Sequence, residues 1–195
     1  MKKWLPLIVI VVILVGIFRW GVGLNNNMVE LQEKAKTQWA QVESAYQRRS
    51  DLIPNLVSTV KGYADFEKET LESVIQARAN ATKTTIDPTN ITPEQMAQFQ
   101  QSQDNLSGAL SRLMVVVERY PDLKANQNFL ELQSQLEGTE NRINVERNRF
   151  NETAKDYNVY IRKFPASVVA GILNFDPMAL FQSAPGSEQA PKVEF

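Results

Sequence analysis

The N-terminus constrains this chain more than any other part, because it carries an apolar run long enough to cross a bilayer. The run from Leu5 to Phe18 is interrupted only by Pro6 and Gly16, and Arg19 is the single charge between residues 4 and 24. A helix of that length spans about 31 Å, close to the thickness of a bilayer core. The run therefore predicts an N-terminal transmembrane anchor over residues 1–24.

A cleaved signal peptide is the alternative interpretation of this run, because Lys2 and Lys3 before apolar residues also begin secretory signals. The nearest small-residue cleavage site is Gly-Val-Gly at residues 21–23, which specifies cleavage poorly and favours an uncleaved anchor. Lys2 and Lys3 favour an inner N-terminus, although Arg19 follows the run on the other side. We expect a single-pass membrane protein whose remaining domain is extracytoplasmic.

The charged and reactive residues exclude several classes of function. Three of the 21 basic residues lie in the first 24 positions, so the rest of the chain carries 18 basic against 22 acidic residues. This mildly acidic balance argues against nucleic acid as a partner. The chain has no cysteine and no histidine, which removes thiolate chemistry, the commonest general base and the commonest zinc ligand. We expect no cofactor and no enzyme activity.

Beyond Asn25 the apolar residues recur at alternating spacings of three and four, the period of an α-helix. Four such stripes predict four helices joined by short connections, which is typical of an up-and-down bundle. Their members, a few of them polar, are Met28, Leu31, Ala35, Trp39, Val42 and Tyr46; Ile53, Leu56, Val60, Tyr63, Glu67, Leu71, Val74 and Arg78; Met96, Phe99, Gln103, Leu106, Leu110, Leu113, Val117 and Tyr120; and Phe129, Leu132, Leu136, Thr139, Ile143, Glu146, Phe150, Thr153, Tyr157, Tyr160 and Phe164.

Helix boundaries are marked at two places. Asp51 is a candidate N-cap three residues before Pro54, which predicts that a second helix begins there; one long helix kinked at Pro54 is the alternative. The sequence Thr-Pro-Glu-Gln at residues 92–95 predicts a capping box at the start of the third helix, after a loop over residues 82–92.

The predicted fold class is all-α: an N-terminal transmembrane helix followed by a long antiparallel up-and-down bundle of about four helices. The bundle occupies residues 25–165, and a short apolar C-terminal segment follows over residues 166–181. Residues 182–195 are rich in small and polar side chains and are predicted to form a flexible tail.

Three stretches resemble the LemA family closely. They are RRSDLIPNLVSTVKGYADFEKETLESVIQARA at residues 48–79, ERYPDLKANQNFLELQSQLEGTENRINVERNRFN at 118–151 and FPASVVAGILNF at 164–175, and the ending PKVEF is similar as well. The resemblance implies a bacterial cell-envelope protein with a helical bundle, and a distant relative linked to magnetosome membranes. It implies no defined biochemical activity. With the predicted topology, it leads us to expect the inner (cell) membrane and a periplasmic bundle.

Five charged residues form a candidate polar network inside the bundle. Glu146 occupies a seam position between Ile143 and Phe150, where a carboxylate needs a partner or a raised pKa. Arginine satisfies a carboxylate with two hydrogen bonds, so the candidate partners of Glu146 are Arg48, Arg49 and Arg78, and Glu140 is the fifth member of the network. We favour a network that fixes helix register over a site for an ion or anionic ligand.

The apolar C-terminal segment is too short to cross a bilayer and must be covered in another way. Its candidate contact residues are Val168, Val169, Ile172, Leu173 and Phe175. Contact with the membrane or a neighbouring subunit is one interpretation, and capping of the segment's own bundle is the other.

The function that these patterns favour is a non-catalytic envelope scaffold that self-associates into a homo-oligomer and organises membrane or partner proteins. An adaptor that binds one envelope partner, such as a membrane protease or a secretion component, is the alternative. A carboxylate enzyme is disfavoured because a narrow bundle offers little concavity.

Overall fold

The computed structural model describes residues 4–62 and 67–182, and this part of the chain is helical and contains no strand. The predicted all-α class is therefore confirmed. Six helices are present in it: α1 (Leu5–Lys61), α2 (Lys68–Lys83), α3 (Pro93–Val117), α4 (Pro121–Lys124), α5 (Gln127–Arg162) and α6 (Ala166–Leu173).

Helix α1 combines three segments that were predicted as separate helices. It runs for 57 residues, about 85 Å, so the apolar segment, the first predicted helix and the start of the second are one helix. By length and composition α1 is able to cross a membrane, and its apolar side chains from Leu7 to Phe18 are half or more exposed. The bundle is thus joined to the apolar segment without a hinge.

Pro54 lies inside α1, so the predicted helix start at Asp51 is wrong and the alternative of one long helix is correct. A proline has no N–H to donate to the carbonyl four residues earlier, which here belongs to Ser50. Arg78 of α2 replaces that donor, because its Nε lies 2.8 Å from the Ser50 carbonyl oxygen. The missing main-chain hydrogen bond is supplied from a neighbouring helix.

The second predicted helix is divided between two elements. Its first part, including Leu56 and Val60, belongs to α1, and its second part, including Leu71 and Val74, belongs to α2. The chain reverses between them, so both halves of one stripe face the same apolar cluster. A continuous helix would have carried Leu71 and Val74 away from that cluster.

The start of α3 agrees with the prediction in detail. The Thr92 Oγ1 accepts a hydrogen bond from the Gln95 backbone N–H at 3.2 Å, and the Thr92 N–H donates to the Gln95 Oε1 at 3.1 Å. These two bonds form the capping box. The residues between Lys83 and Pro93 are not helical, as expected for the predicted loop.

Helices α1 and α5 form the long antiparallel pair of the bundle, and the α2–α3 hairpin packs beside it. The core has two apolar clusters, which we name by distance from the apolar segment of α1. The proximal cluster contains Met28, Ala35, Trp39, Val42, Ala45, Tyr46, Ile86, Ile91, Met96, Phe99, Ile143, Phe150, Ala154, Tyr157, Ile161, Ala170, Met178 and Phe181. The distal cluster contains Ile53, Leu56, Val60, Leu71, Val74, Ala81, Leu106, Ala109, Leu113, Val116, Val117, Leu123, Phe129 and Leu136.

The chain reverses after α6 and returns along α5 as an extended segment, residues 175–182, which we call the C-terminal strap. Asn174 adopts the left-handed conformation (φ 57°) that turns the chain, a conformation that asparagine tolerates better than most residues. The strap brings Met178 and Phe181 into the proximal cluster. The predicted flexible tail lies outside the described residues, apart from Gln182.

Candidate functional site

Arg49 is the centre of a polar layer between the two apolar clusters. Its side chain is 3% exposed and lies 2.8 Å from Glu140 on α5, measured from Nη1 to the carboxylate Oε2. The same Nη1 donates to the Ser107 Oγ at 2.9 Å, and Nη2 donates to the Gln103 Oε1 at 2.7 Å. The polar layer, Arg49, Gln103, Ser107 and Glu140, thus joins α1, α3 and α5.

The polar layer stabilises one alignment of the helices because its central guanidinium is buried. A buried guanidinium needs an opposite charge and several hydrogen-bond acceptors, because its desolvation is otherwise costly. Glu140 is 47% exposed, so its carboxylate satisfies Arg49 on one side and remains in contact with water on the other. Sliding α1 against α5 would separate this pair, which means that the layer favours one register of the two long helices.

Glu146 forms a second, separate cluster. Its side chain is 1% exposed, and its carboxylate lies 2.6 Å from the Arg142 Nε and 3.3 Å from the Arg149 Nη1. Gln38 of α1 donates a further hydrogen bond at 2.6 Å. Both arginines are on the same helix, four residues before and three after Glu146, a spacing at which helix side chains meet. That spacing was the signal in the sequence for these partners.

The other two arginines of the predicted network lie apart from Glu146. Arg48 is exposed and lines a shallow groove between α1 and α5, which has a volume of about 470 Å³ and also includes Ser44, Gly138 and Arg142. Arg78 bonds the Ser50 carbonyl and not a carboxylate. The structure therefore pairs Arg49 with Glu140 and gives the remaining three residues different surroundings.

The chemistry available to these clusters is limited. Glu140 and Glu146 each form an ion pair, so both carboxylates are occupied by arginine. Within the described residues, no group of three acidic side chains is arranged to hold a metal ion. What the arrangement provides is a fixed position of three helices relative to one another.

The candidate contact residues of the C-terminal segment divide into two sets. Val169 and Phe175 pack against the proximal cluster, as the capping interpretation expects. Val168, Ile172 and Leu173 are exposed, at 54%, 72% and 48%. Phe164 joins them: the sequence stripe placed it in the core, but it is 84% exposed because α5 ends at Arg162 and the chain leaves the helical path before it.

Comparison with known proteins identifies relatives along most of the chain. The LemA family matches residues 38–195. The protein LemA of Metamycoplasma hominis is 26% identical over 89% of this chain and 76% of its own length.

A second relative is the magnetosome protein MamQ of Magnetospirillum gryphiswaldense. It is 26% identical over 84% of this chain and 66% of its own length. The magnetosome protein MamQ 2 of Paramagnetospirillum magneticum is 25% identical over the same shares. None of these names is that of an enzyme. The family match includes the polar layer, the Glu146 cluster and the C-terminal segment, and on this evidence the chain belongs to the LemA family.

Proposed function

We propose that this protein is a non-catalytic scaffold of the bacterial envelope, held in the inner membrane by an uncleaved α1 and assembled into a homo-oligomer. The observation that carries the proposal is the continuity of α1. The apolar segment and the bundle share one helix, so copies held in one membrane would present their bundles at the same height and in a similar orientation. Restriction to a plane favours lateral contact between identical surfaces.

The pairing of the carboxylates inside the bundle supports a protein without catalytic activity. Glu140 and Glu146 are both paired with arginine, and the chain has no histidine or cysteine that would act as a base or nucleophile. A shallow groove runs along the seam between α1 and α5 in the described part of the chain. A groove of this form is better suited to a helix of another chain than to a small substrate.

The groove between α1 and α5 is the surface that we assign to self-association. Gly138 lies on its floor, and a Cβ added there would meet no atom within 4 Å. Ser44 and Ala45 on α1 are also small, so a neighbouring helix can approach closely. Arg48 is exposed in the same groove and is able to pair with an acidic side chain of a second copy, whereas Arg142, which also lines it, is held by Glu146.

Gly138→Gln tests the assembly without weakening the bundle. Glutamine favours the helix over glycine by about 0.5 kcal/mol, so the variant should be at least as stable as the native chain. We expect the native chain, extracted in mild detergent, to have the mass of a multimer by light scattering, and Gly138→Gln to have a clearly smaller mass. Gly108→Gln on α3 is the matched control, since a Cβ there also meets no atom within 4 Å.

Each outcome decides between the alternatives. A native monomer that copurifies with one other protein in fixed stoichiometry would overturn self-association and favour the adaptor. A multimer unchanged by Gly138→Gln would move the contact to another face. The intact mass of the extracted chain tests cleavage after residue 23.

The side of the membrane on which the bundle lies can be measured by cysteine labelling, because the chain has no cysteine of its own. A single cysteine at Asn148, an exposed position of α5, should react with a membrane-impermeant maleimide added to intact spheroplasts. Labelling only after lysis would place the bundle in the cytoplasm and contradict the proposed periplasmic location.

A further inference from the structure

The exposed apolar side chains of the C-terminal segment lie at the end of the bundle nearest the apolar segment of α1. Two contacts between α1 and the rest of the bundle give the position of this end relative to the apolar segment. Asn27 donates a hydrogen bond to the Tyr160 hydroxyl at 3.1 Å, and Leu24 packs against the proximal cluster. Because α5 runs antiparallel to α1, the chain continues from Tyr160 in the direction of Trp20 until α5 ends at Arg162, and Phe164 follows two residues later.

Helix α6 buries its alanines, while three of its four large apolar side chains are exposed. Ala166 and Ala170 are 3% and 4% exposed, whereas Ile172 is 72% exposed. Together with Phe164, Val168 and Leu173, Ile172 forms a surface that we call the apolar end face. Exposing such a group of large apolar side chains to water costs free energy, so the surface is expected to be covered by something other than this chain itself.

The charges around the apolar end face are basic. Arg162 and Lys163 precede Phe164 and are exposed, and they are the only charged residues between positions 157 and 175. The adjacent part of α1, residues 20–29, carries no charge, and Arg19 lies just within the apolar segment. The acidic residue of the C-terminal segment is Asp176. Its main-chain carbonyl accepts a hydrogen bond from the Tyr157 hydroxyl, which lies about one helical turn before the end of α5.

We propose that the apolar end face inserts into the headgroup region of the bilayer that holds α1, with Arg162 and Lys163 against anionic lipid headgroups. Apolar side chains beside basic ones are the combination that binds such an interface. The inference rests on the proposed anchor, because α1 sets the distance between this surface and the lipid. It gives each bundle a second point of attachment, which restricts its tilt relative to the membrane.

The test uses the full chain with a single cysteine at Ile172, labelled with an environment-sensitive nitrobenzoxadiazole dye. The chain is reconstituted into vesicles of phosphatidylethanolamine and phosphatidylglycerol that contain a lipid with a spin label near the headgroup. We expect blue-shifted dye emission and strong quenching by the spin label. The matched control is Val115→Cys, which is 71% exposed on α3 at the far end of the bundle and should show neither effect.

A further variant separates this inference from the anchor. Val12→Cys places the dye in the apolar segment, where a spin label deep in the acyl region should quench it. Quenching at position 12 but not at position 172 would overturn the proposed contact and leave the anchor intact, whereas loss of both would overturn the anchor. Blue-shifted emission at position 172 without quenching, dependent on the protein-to-lipid ratio, would show that a second copy covers the surface and would also overturn the proposal.

Discussion

The proximal and distal clusters of the bundle are built by different means. The distal cluster is mostly aliphatic and comes from helices at regular spacings of three and four. The proximal cluster is aromatic, with Trp39 in contact with Phe99, Phe150 and Phe181 at ring distances of 5.2 to 5.7 Å. One of those rings belongs to the extended strap. The comparison shows that helix periodicity accounts for one half of the core, while the other half also needs a non-helical segment.

A reason for the difference is the length of the helices. Helix α5 has 36 residues and accompanies α1 along the bundle, whereas α2 has only 16 and begins at the distal end. The α2–α3 hairpin therefore covers the distal part of the α1–α5 pair more fully than the proximal part. The strap fills the space that remains, and the polar layer around Arg49 lies between the two clusters.

The largest expected effect is that of Trp39→Ala, which removes the central ring of the proximal cluster. We expect the free energy of unfolding to fall by about 4 kcal/mol, the usual cost of truncating a buried large aromatic side chain. Urea unfolding followed by circular dichroism measures it, with the exposed Val115→Ala as the control. Leu113→Ala is the corresponding variant in the distal cluster, and hydrogen exchange of the strap should be faster in Trp39→Ala than in Leu113→Ala. Equally fast exchange in both variants would contradict the division of the core into two clusters.

The polar layer should respond unequally to loss of its two charged members. Glu140→Ala leaves the buried Arg49 without a counter-ion, and we expect a loss of about 3 kcal/mol. Arg49→Met fills a similar volume and leaves Glu140 half exposed to water. The buried Gln103 Oε1 is then the main group without its donor, so the expected loss is only about 1 kcal/mol. The exposed Glu137→Ala is the control for Glu140→Ala. Equal losses for Arg49→Met and Glu140→Ala would show that desolvation of the guanidinium does not dominate.

High pH should weaken the proximal cluster through Tyr157. Burial, with a smaller contribution from the charge of Asp176, raises the pKa of Tyr157 to about 12. An unfolded tyrosine ionises near pH 10, so the stability that the neutral hydroxyl contributes is complete below that pH and is lost as the pH rises toward 12. This loss should not exceed about 3 kcal/mol.

Tyr157→Phe isolates this effect because all other titrating groups remain. Comparison of urea unfolding for the two proteins at pH 8 and pH 11.5 should show a larger loss for the native chain. Parallel losses would mean that the folded hydroxyl ionises as freely as the unfolded one.

Two asparagines of α5, Asn151 and Asn158, hold the main chain of the strap at Phe181 and Met178. Asn158 donates to the Met178 carbonyl and accepts from the Met178 N–H, both at 2.8 Å. We expect Asn158→Ala to cost about 2 kcal/mol, because two main-chain groups lose their partner. Faster hydrogen exchange confined to the strap would support this, whereas exchange no faster than in the exposed control Asn148→Ala would refute it.

The smallest expected effect concerns Arg78 and Pro54 next to the distal cluster. Arg78→Ala should cost about 1 kcal/mol in the native chain, because the Ser50 carbonyl loses its donor. In a Pro54→Ala background the new N–H of residue 54 reaches that carbonyl, so the same substitution should cost less. A double-mutant cycle measures the difference, and strict additivity would show that Arg78 does not replace the missing donor.

Much of the distal core and the start of α3 were predictable from the sequence. Leu106, Leu113 and Val117 are buried as their spacing requires, and Thr92 with Gln95 forms the expected capping box. These features are local, because they depend on residues within a few turns of one another. The partners of Glu146 are local as well, because Arg142 and Arg149 stand four residues before it and three after it, but more distant arginines were predicted in their place.

The sequence alone determined that this chain is helical, that its N-terminal segment is long and apolar enough to cross a membrane, and which positions form most of its core, because each depends on composition and periodicity along one segment. Tertiary structure decided that Pro54 stays inside a helix, that Arg49 pairs with Glu140, and that the strap completes the proximal cluster. These three features join residues that are distant in the chain. They form only when α1, α2 and α5 have packed. The Ser50 carbonyl then receives a donor, Arg49 receives a counter-ion, and the space beside Trp39 is filled, each by a residue that no local pattern specifies.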